Sequence, residues 1–236
     1  LLQESLRRLP KDAAVQFDFG LAAYSLGQVT NATAAVQAAL DGGLPPPQSE
    51  RAKTFVRMQS LLSNPGQADA AAAQIQELLK QQPDYVPALM VVAAIQDRKG
   101  DFAAARDSYT RALKAMPEFA PADRQLALLY YTRLQLPTEA YAHALKAREA
   151  FPQDREIARL LGILSYQRGE FSRAGQLLQE ASASFPNDSE VIYRLGLTQY
   201  KLKQSQESRR NLAQALGLAP NSEFAPEAKR VLADLK

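Results

Sequence analysis

Apolar residues recur along most of the chain at the three- and four-residue spacings of amphipathic helices, and prolines divide these stretches at a nearly constant interval. Pro83, Pro117, Pro152, Pro186 and Pro220 are separated by 34, 35, 34 and 34 residues. Because proline cannot continue a helical hydrogen-bond ladder, each of them closes a helical segment. The interval therefore predicts a repeated unit with two helices in each period.

Small residues recur at matching places within the periods. The pair Leu161-Gly162 returns 34 residues later as Leu195-Gly196, and Gly100-Asp101-Phe102 has a counterpart in Gly169-Glu170-Phe171. Small residues let two helices approach closely, and glycine permits positive φ in the tight turn between them. These positions predict antiparallel helix hairpins.

At these residues the sequence resembles the tetratricopeptide-repeat family, whose unit has Leu-Gly early, Gly-Asp-Phe/Tyr at its turn and a closing proline. The resemblance is strongest from Asp84 to Pro220. It implies an all-α fold, namely a right-handed superhelical solenoid of antiparallel helix hairpins with a C-terminal capping helix. The Ala- and Gln-rich helices resemble those of bacterial members.

The period divides the chain into the second helix of a truncated preceding repeat, six repeats and a capping helix. These segments are predicted at residues 1–10; 11–48, 49–83, 84–117, 118–152, 153–186 and 187–220; and 221–236. Polar residues that follow the closing prolines are predicted to cap the next helix, since their side chains can accept free backbone N–H groups. They are Asp84, Asp154, Asp188 and Ser222.

The resemblance also implies that the first helices of successive repeats line a concave groove. Residues at i, i+4 and i+7 share one face of such a helix, and a triplet of arginine or tyrosine, an aliphatic residue and tyrosine recurs at that spacing. The predicted partner-binding groove consists of Arg124, Leu128, Tyr131, Arg159, Ile163, Tyr166, Tyr193, Leu197 and Tyr200. Two readings of the tyrosines stay open, because such a ring either contacts a partner or packs against the next repeat.

The same spacing occurs earlier in the chain at Phe17, Leu21 and Tyr24. Because the two intervening repeats break the pattern, this triplet would form a second, separate partner-binding patch. Family members that bind the carboxylate of an acidic C-terminal tail have asparagine where this chain has leucine or isoleucine on the same faces. The resemblance therefore argues against that ligand and predicts a more apolar or aromatic partner segment.

Composition excludes several classes of function. The chain lacks cysteine, and its one histidine, His143, lies in no nucleophile motif; there is no glycine-rich phosphate loop. We therefore predict no catalytic residues, no metal and no cofactor. The net charge of +3 is too small to predict nucleic-acid binding. The longest apolar run, Val86 to Ile95, is about half the roughly 20 residues of a membrane-spanning helix, so direct membrane insertion is not predicted.

The family resemblance therefore implies a non-catalytic scaffold that binds a partner peptide or protein segment. The alternative is a self-assembling structural module, hence a homo-oligomer, or the non-catalytic arm of a larger bacterial envelope, secretion or polysaccharide-export machine. An absence of cysteine is compatible with the cytoplasm and with the bacterial periplasm, so the compartment stays open.

Overall fold

The structure, a computed structural model, describes the backbone of residues 2–235 and the side chains of residues 4–235. The described chain is helical and has no strand, and it forms two compact units that divide between Gln135 and Leu136. The outermost residues of the first and last predicted segments, Leu1 and Lys236, lie outside the described part.

The first unit contains nine helices within its described residues. They are α1 (Leu2–Arg8), α2 (Ala13–Ser25), α3 (Val29–Asp41), α4 (Gln48–Ser63), α5 (Pro65–Ala70), α6 (Ala72–Gln81), α7 (Val86–Arg98), α8 (Phe102–Ala115) and α9 (Ala120–Thr132). In this unit α2 packs on α3 and α7 on α8, while α4 packs on α7. In the pairs α2–α3 and α7–α8 the second member is a single helix. After α4, by contrast, the segment is divided at Ala71 into two short helices, α5 and α6.

The described part of the second unit contains six helices. They are α10 (Pro137–Ala150), α11 (Arg155–Gln167), α12 (Phe171–Ser184), α13 (Ser189–Lys201), α14 (Ser205–Leu218) and α15 (Ala225–Asp234). Here α11 pairs with α12 and α13 with α14, and α12 also packs on α13, so that one hairpin rests on the next. The expected all-α class of helical hairpins is confirmed.

Aspartates cap two of the helices as expected. The Asp154 carboxylate accepts the backbone N–H of Ile157 at 3.1 Å, and Asp188 accepts that of Val191 at 3.1 Å. Each carboxylate thereby pairs one of the N–H groups that the first turn of a helix leaves without an intrahelical partner. These two contacts fix where α11 and α13 begin.

The expected caps at Asp84 and Ser222 are wrong. Helix α7 begins two residues after Asp84, and no side chain caps it; the Ser222 hydroxyl instead donates to the Ala219 carbonyl at 2.8 Å, and α15 begins only at Ala225. Both helices carry proline in the first turn. Because proline lacks an N–H and has a preset φ, it removes one of the donors that a cap would have satisfied.

Close approach within the hairpins occurs at glycine. A Cβ added to Gly162 would lie 2.8 Å from Leu178 Cγ, and one added to Gly196 would lie 2.8 Å from Leu212 Cγ. Both leucines are fully buried. The same two residue types thus make the same contact in consecutive hairpins, 34 residues apart, and the contact sets how one helix is aligned against the other.

We expect Gly196→Ala to destabilise the protein by about 1–3 kcal/mol, because the new methyl group overpacks Leu212. Gly217→Ala is the matched control: it lies in the last turn of α14, where a Cβ meets nothing within 4 Å. That change should be neutral or stabilise by up to about 1 kcal/mol through helix propensity. Urea unfolding followed by circular dichroism compares the two variants, and equal effects would contradict the packing role of Gly196.

The hairpin turns require a left-handed residue. Gly100 and Gly169 have φ of 81° and 78°, as the sequence predicted, but the corresponding turn between α13 and α14 places Lys203 at φ 61°. A side chain in this region costs roughly 1–2 kcal/mol.

Lys203→Gly should therefore stabilise the protein by about 1 kcal/mol. Gly169→Ala should destabilise it: a Cβ at that position would meet no neighbouring atom, so the strain comes from the positive φ alone. Thermal unfolding measures both changes, and a destabilising Lys203→Gly would contradict this view of the turn.

Candidate functional site

The predicted groove residues of α11 differ in how far they reach the surface. Ile163 is fully buried, whereas Arg159 and Tyr166 are partly exposed. The residues lie on one face as their spacing requires; α13 packs beside α11, and the middle of that face is buried. Only the two ends of the triplet are therefore accessible.

The corresponding triplet of α13 is more deeply covered. Tyr193 and Leu197 are each 2% exposed, and only Tyr200 is partly accessible, where it packs against the apolar cluster of the second unit. Helix α15 packs on α13 just as α13 packs on α11. Of the two alternatives left open for the tyrosines, the surroundings of Tyr193 match the second, in which the ring packs against the following element.

Tyr193 is covered by residues from the start of the capping segment. Its ring stacks on Phe224 with centroids 4.3 Å apart and an interplanar angle of 12°, and its hydroxyl donates to Glu227 Oε2 at 2.5 Å. Burial, together with the hydrogen bond to Glu227, raises the pKa of the Tyr193 phenol. The sequence held a signal for this contact, because Glu227 follows Tyr193 by one 34-residue period.

Arg159 is held by two carboxylates. Its Nε donates to Asp188 at 2.9 Å and its Nη2 to Glu190 at 3.1 Å, so that it links α11 to the start of α13. The pairs are half-buried, and Asp188 at the same time caps α13. The guanidinium of Arg159 thus has a structural role before any partner arrives.

Arg194 joins this surface, although it was not among the predicted groove residues. Its guanidinium carbon lies 5.8 Å from the ring centroid of Tyr166 and 5.4 Å from that of Tyr193, within the range of cation–π contacts. It directly follows Tyr193, outside the i, i+4, i+7 pattern, which is why the spacing did not reveal it. Arg194 contributes a positive charge beside the accessible ring of Tyr166.

The three predicted groove residues of the first unit lie on α9. Arg124, Leu128 and Tyr131 are all half-buried, so each offers part of its side chain to the surface of that helix. The Tyr131 carbonyl accepts a hydrogen bond from Gln135 Nε2 at 3.2 Å, near the end of the unit. This face of α9 is thus partly accessible along its whole length.

The earlier triplet of the first unit belongs to an aromatic core. Phe17 and Tyr24 are 1% and 3% exposed. The Tyr24 ring contacts Phe55 edge-on, with centroids 5.0 Å apart, and Phe119 at 4.9 Å with an angle of 44°. Edge-to-face and tilted pairs are the favoured geometries of packed rings. Tyr24 is therefore not available to a partner, and its contact with Phe119 could not be predicted from the spacing of residues.

Other kinds of site find no support in the part of the chain that the structure describes. No three His, Cys, Asp or Glu side chains among residues 4–235 are grouped as metal ligands would be, and His143 lies half-buried within α10. None of the described helices combines the length and the apolar character that a bilayer-crossing helix needs. The chemistry available on the described surface is that of aromatic, aliphatic and charged contacts.

Paired helices of constant period, with glycine at the contact and a left-handed turn, define a helical-repeat protein. Family models described as "Tetratricopeptide repeat" match residues 62–123, 95–154 and 124–189, and a further one matches residues 189–222. The matches together run from residue 62 to residue 222, well over half of the chain. The chain belongs to the tetratricopeptide-repeat family.

Solved structures show the same fold. YrrB, described as a TPR protein with an unusual peptide-binding site, is 16% identical over 97% of both chains, with a TM-score of 0.53. MamA from Desulfovibrio magneticus RS-1 is 16% identical over 72% of this chain and 96% of its own, with a TM-score of 0.56. PilW, a type IV pilus biogenesis factor, is 20% identical over 75% and 86%, with a TM-score of 0.50. No curated protein matches the sequence. At these identities the likeness concerns the fold alone.

We expect Phe224→Ala to bring the raised pKa of Tyr193 back toward its ordinary value of about 10, since the ring loses its stacked cover. Stability should fall by about 2–3 kcal/mol. In the unchanged protein, the stability that depends on a neutral Tyr193 is present below pH ~10 and is lost as pH rises through the raised pKa. Ultraviolet titration of phenolate, with Tyr193→Phe to assign the group, tests this. An unaltered titration in Phe224→Ala would show that Phe224 does not shield Tyr193.

Proposed function

We propose that this chain is a non-catalytic scaffold that binds a segment of a partner protein on the accessible ends of its first-helix faces. In the second unit the proposed contacts are Arg159, Tyr166 and Tyr200, with Arg194 beside them. The observation that carries the proposal is the partial exposure of both tyrosine rings on a face whose centre is closed by packing. Membership of the repeat family, and a shared fold with a structure described as having a peptide-binding site, support it.

The buried residues of the same triplets lie under the proposed contact surface and support it by packing. Tyr193 and Leu197 belong to an apolar cluster that joins α13 to α15, and Ile163 is buried on α11; we assign all three to the support of the contact surface. A preformed scaffold of this kind lowers the entropy that binding must overcome. In the first unit, Arg124, Leu128 and Tyr131 on α9 make up the corresponding proposed contacts.

The proposed partner is a protein or peptide with an apolar or aromatic segment. Tyrosine and arginine dominate the energetics of protein interfaces because they combine large contact area with a polar end. Nucleic acid is a poorer candidate, because Arg159 already has its charge balanced by Asp188 and Glu190, and phosphate binding needs several available cations. The proposed binding needs no cofactor.

Self-association is the second candidate. Large apolar side chains are exposed in both units, with Leu26 67% and Leu218 43% accessible, and the fold is shared with a protein described as a pilus biogenesis factor. A structural module within an assembly would use such side chains as its contacts. Sedimentation velocity at several concentrations separates the two: we expect a concentration-independent monomer, and a growing oligomer would favour the second candidate.

The contact residues can be tested with a defined ligand. Peptides that bind the whole chain are selected from a displayed 12-residue library, and the affinity of the strongest is measured by fluorescence polarisation. Tyr131→Ala, Tyr166→Ala and Tyr200→Ala together should weaken binding by at least about 30-fold, which corresponds to ~2 kcal/mol. The helical circular-dichroism signal should stay unchanged, because none of the three rings is fully buried.

The matched control carries Leu26→Ala and Leu218→Ala, two exposed apolar side chains outside the proposed faces. Its affinity for the same peptide should equal that of the unchanged chain. Binding that survives the triple tyrosine change, or that fails equally in the control, would remove the assignment of these faces.

A further inference from the structure

A cavity of about 270 Å³ lies within the first unit, between α2, the start of α4 and the segment that leads into α7. Phe17, Leu21, Phe55 and Tyr85 line it with apolar surface, and Arg51 and Gln82 stand among its polar residues. Phe17 and Phe55 are each 1% exposed and form its packed floor, so the apolar surface that an entering side chain would contact comes mainly from Leu21 and Tyr85, which are partly exposed. None of these residues belongs to the contacts proposed above.

The size of the cavity points to a side chain as its occupant. Pockets for cofactors and small molecules usually measure ~300–1,000 Å³, and this one is slightly smaller. Interface anchors are typically single aromatic or large apolar side chains that enter a preformed pocket. A cavity with an aromatic floor of this volume fits such an anchor.

Two charged residues of opposite sign, Arg51 and Glu50, line the cavity. The guanidinium of Arg51 is exposed and lies 5.6 Å from the ring centroid of Phe17, and within residues 4–235 it has no ion pair. Glu50, which also lines the cavity, is paired with Lys53 at 2.8 Å. The three side chains together leave one positive charge, and Arg51 retains N–H donors for a ligand.

Two neutral groups add donors. Burial raises the pKa of the Tyr85 phenol to about 12, so it keeps its proton at neutral pH. The Tyr85 hydroxyl and the Gln82 amide make no side-chain hydrogen bond with the described residues, whereas the Thr54 hydroxyl already donates to the Glu50 carbonyl. The uncommitted groups around this apolar floor are thus rich in donors, which suits an acceptor such as a carboxylate.

We propose that this cavity is a second protein-binding site, which takes an aromatic or large apolar side chain of a partner segment and pairs Arg51 with a carboxylate next to it. The inference rests on the proposed role in protein binding but on a separate set of residues. A basic segment is disfavoured by the positive charge of Arg51. One available cation is too few for a nucleic-acid backbone.

The test uses the full chain labelled with ¹⁵N and short blocked peptides in which Phe-Asp is embedded in Gly and Ser. Comparison peptides replace Phe by Ala, or Asp by Asn or Lys. The Phe-Asp peptide should shift the amide resonances of Arg51, Thr54 and Tyr85, and each comparison peptide should bind about ten-fold more weakly.

Arg51→Gln should remove the preference for Asp over Asn, and because Arg51 is exposed the fold should persist, as checked by circular dichroism. Lys80→Gln makes the same charge change at an exposed site on α6 and should leave binding unaltered. The combined Tyr166→Ala and Tyr200→Ala changes should also have no effect, which separates this site from the faces proposed above.

With peptide present, any of four results would overturn the proposal: no shifts, shifts confined to other residues, equal binding of the Lys peptide, or a preference for Asp that persists in Arg51→Gln. In the absence of peptide, the concentration of the chain is raised and the same amide resonances are followed. Shifts under these conditions would show that a second copy of the chain occupies the cavity, and they would equally overturn the proposal.

Discussion

The contact of a glycine on one helix with a leucine on its partner is the constraint on which the second unit depends. At Gly162 and Gly196 the helices come so close that the space for a single methyl group is already taken by Leu178 and Leu212. Such a hairpin is thin and cannot cover its own apolar surface, so it must bury the remainder against the next hairpin. The packing of α12 on α13 is where this happens.

The same packing decides what each first helix has left to offer a ligand. Neighbouring first helices cover the centre of one another's faces, which is why Ile163 and Leu197 are buried while Tyr166 and Tyr200 keep accessible edges. In the first unit the rings of Tyr24, Phe55 and Phe119 fill the corresponding space with an aromatic core. The triplet of α2 thus serves mainly cohesion, whereas those of α9, α11 and α13 each keep part of their side chains at the surface.

The sequence predicts what repeats locally and misses what depends on distant contacts. The helical hairpins, the caps at Asp154 and Asp188 and the left-handed glycines follow from spacing and from backbone chemistry. The contact of Tyr24 with Phe119 joins residues 119 − 24 = 95 positions apart, and the period describes only adjacent units. Lys203 takes the left-handed turn position that glycine holds at Gly100 and Gly169, because the turn fixes φ whatever the side chain. For the candidate site, the spacing placed the predicted residues on one face of each helix but could not tell covered rings from accessible ones.

The pairing of Gly196 with Leu212 also bears on how such a chain can change length. One residue inserted into a helix rotates everything beyond it by about 100°, which would carry the glycine away from its leucine. An insertion in a turn, or the duplication of a whole hairpin, leaves each pairing within its own unit. Gene duplication and unequal recombination therefore alter this architecture in steps of one complete period, and a shift by a fraction of a period meets a steric barrier at every glycine.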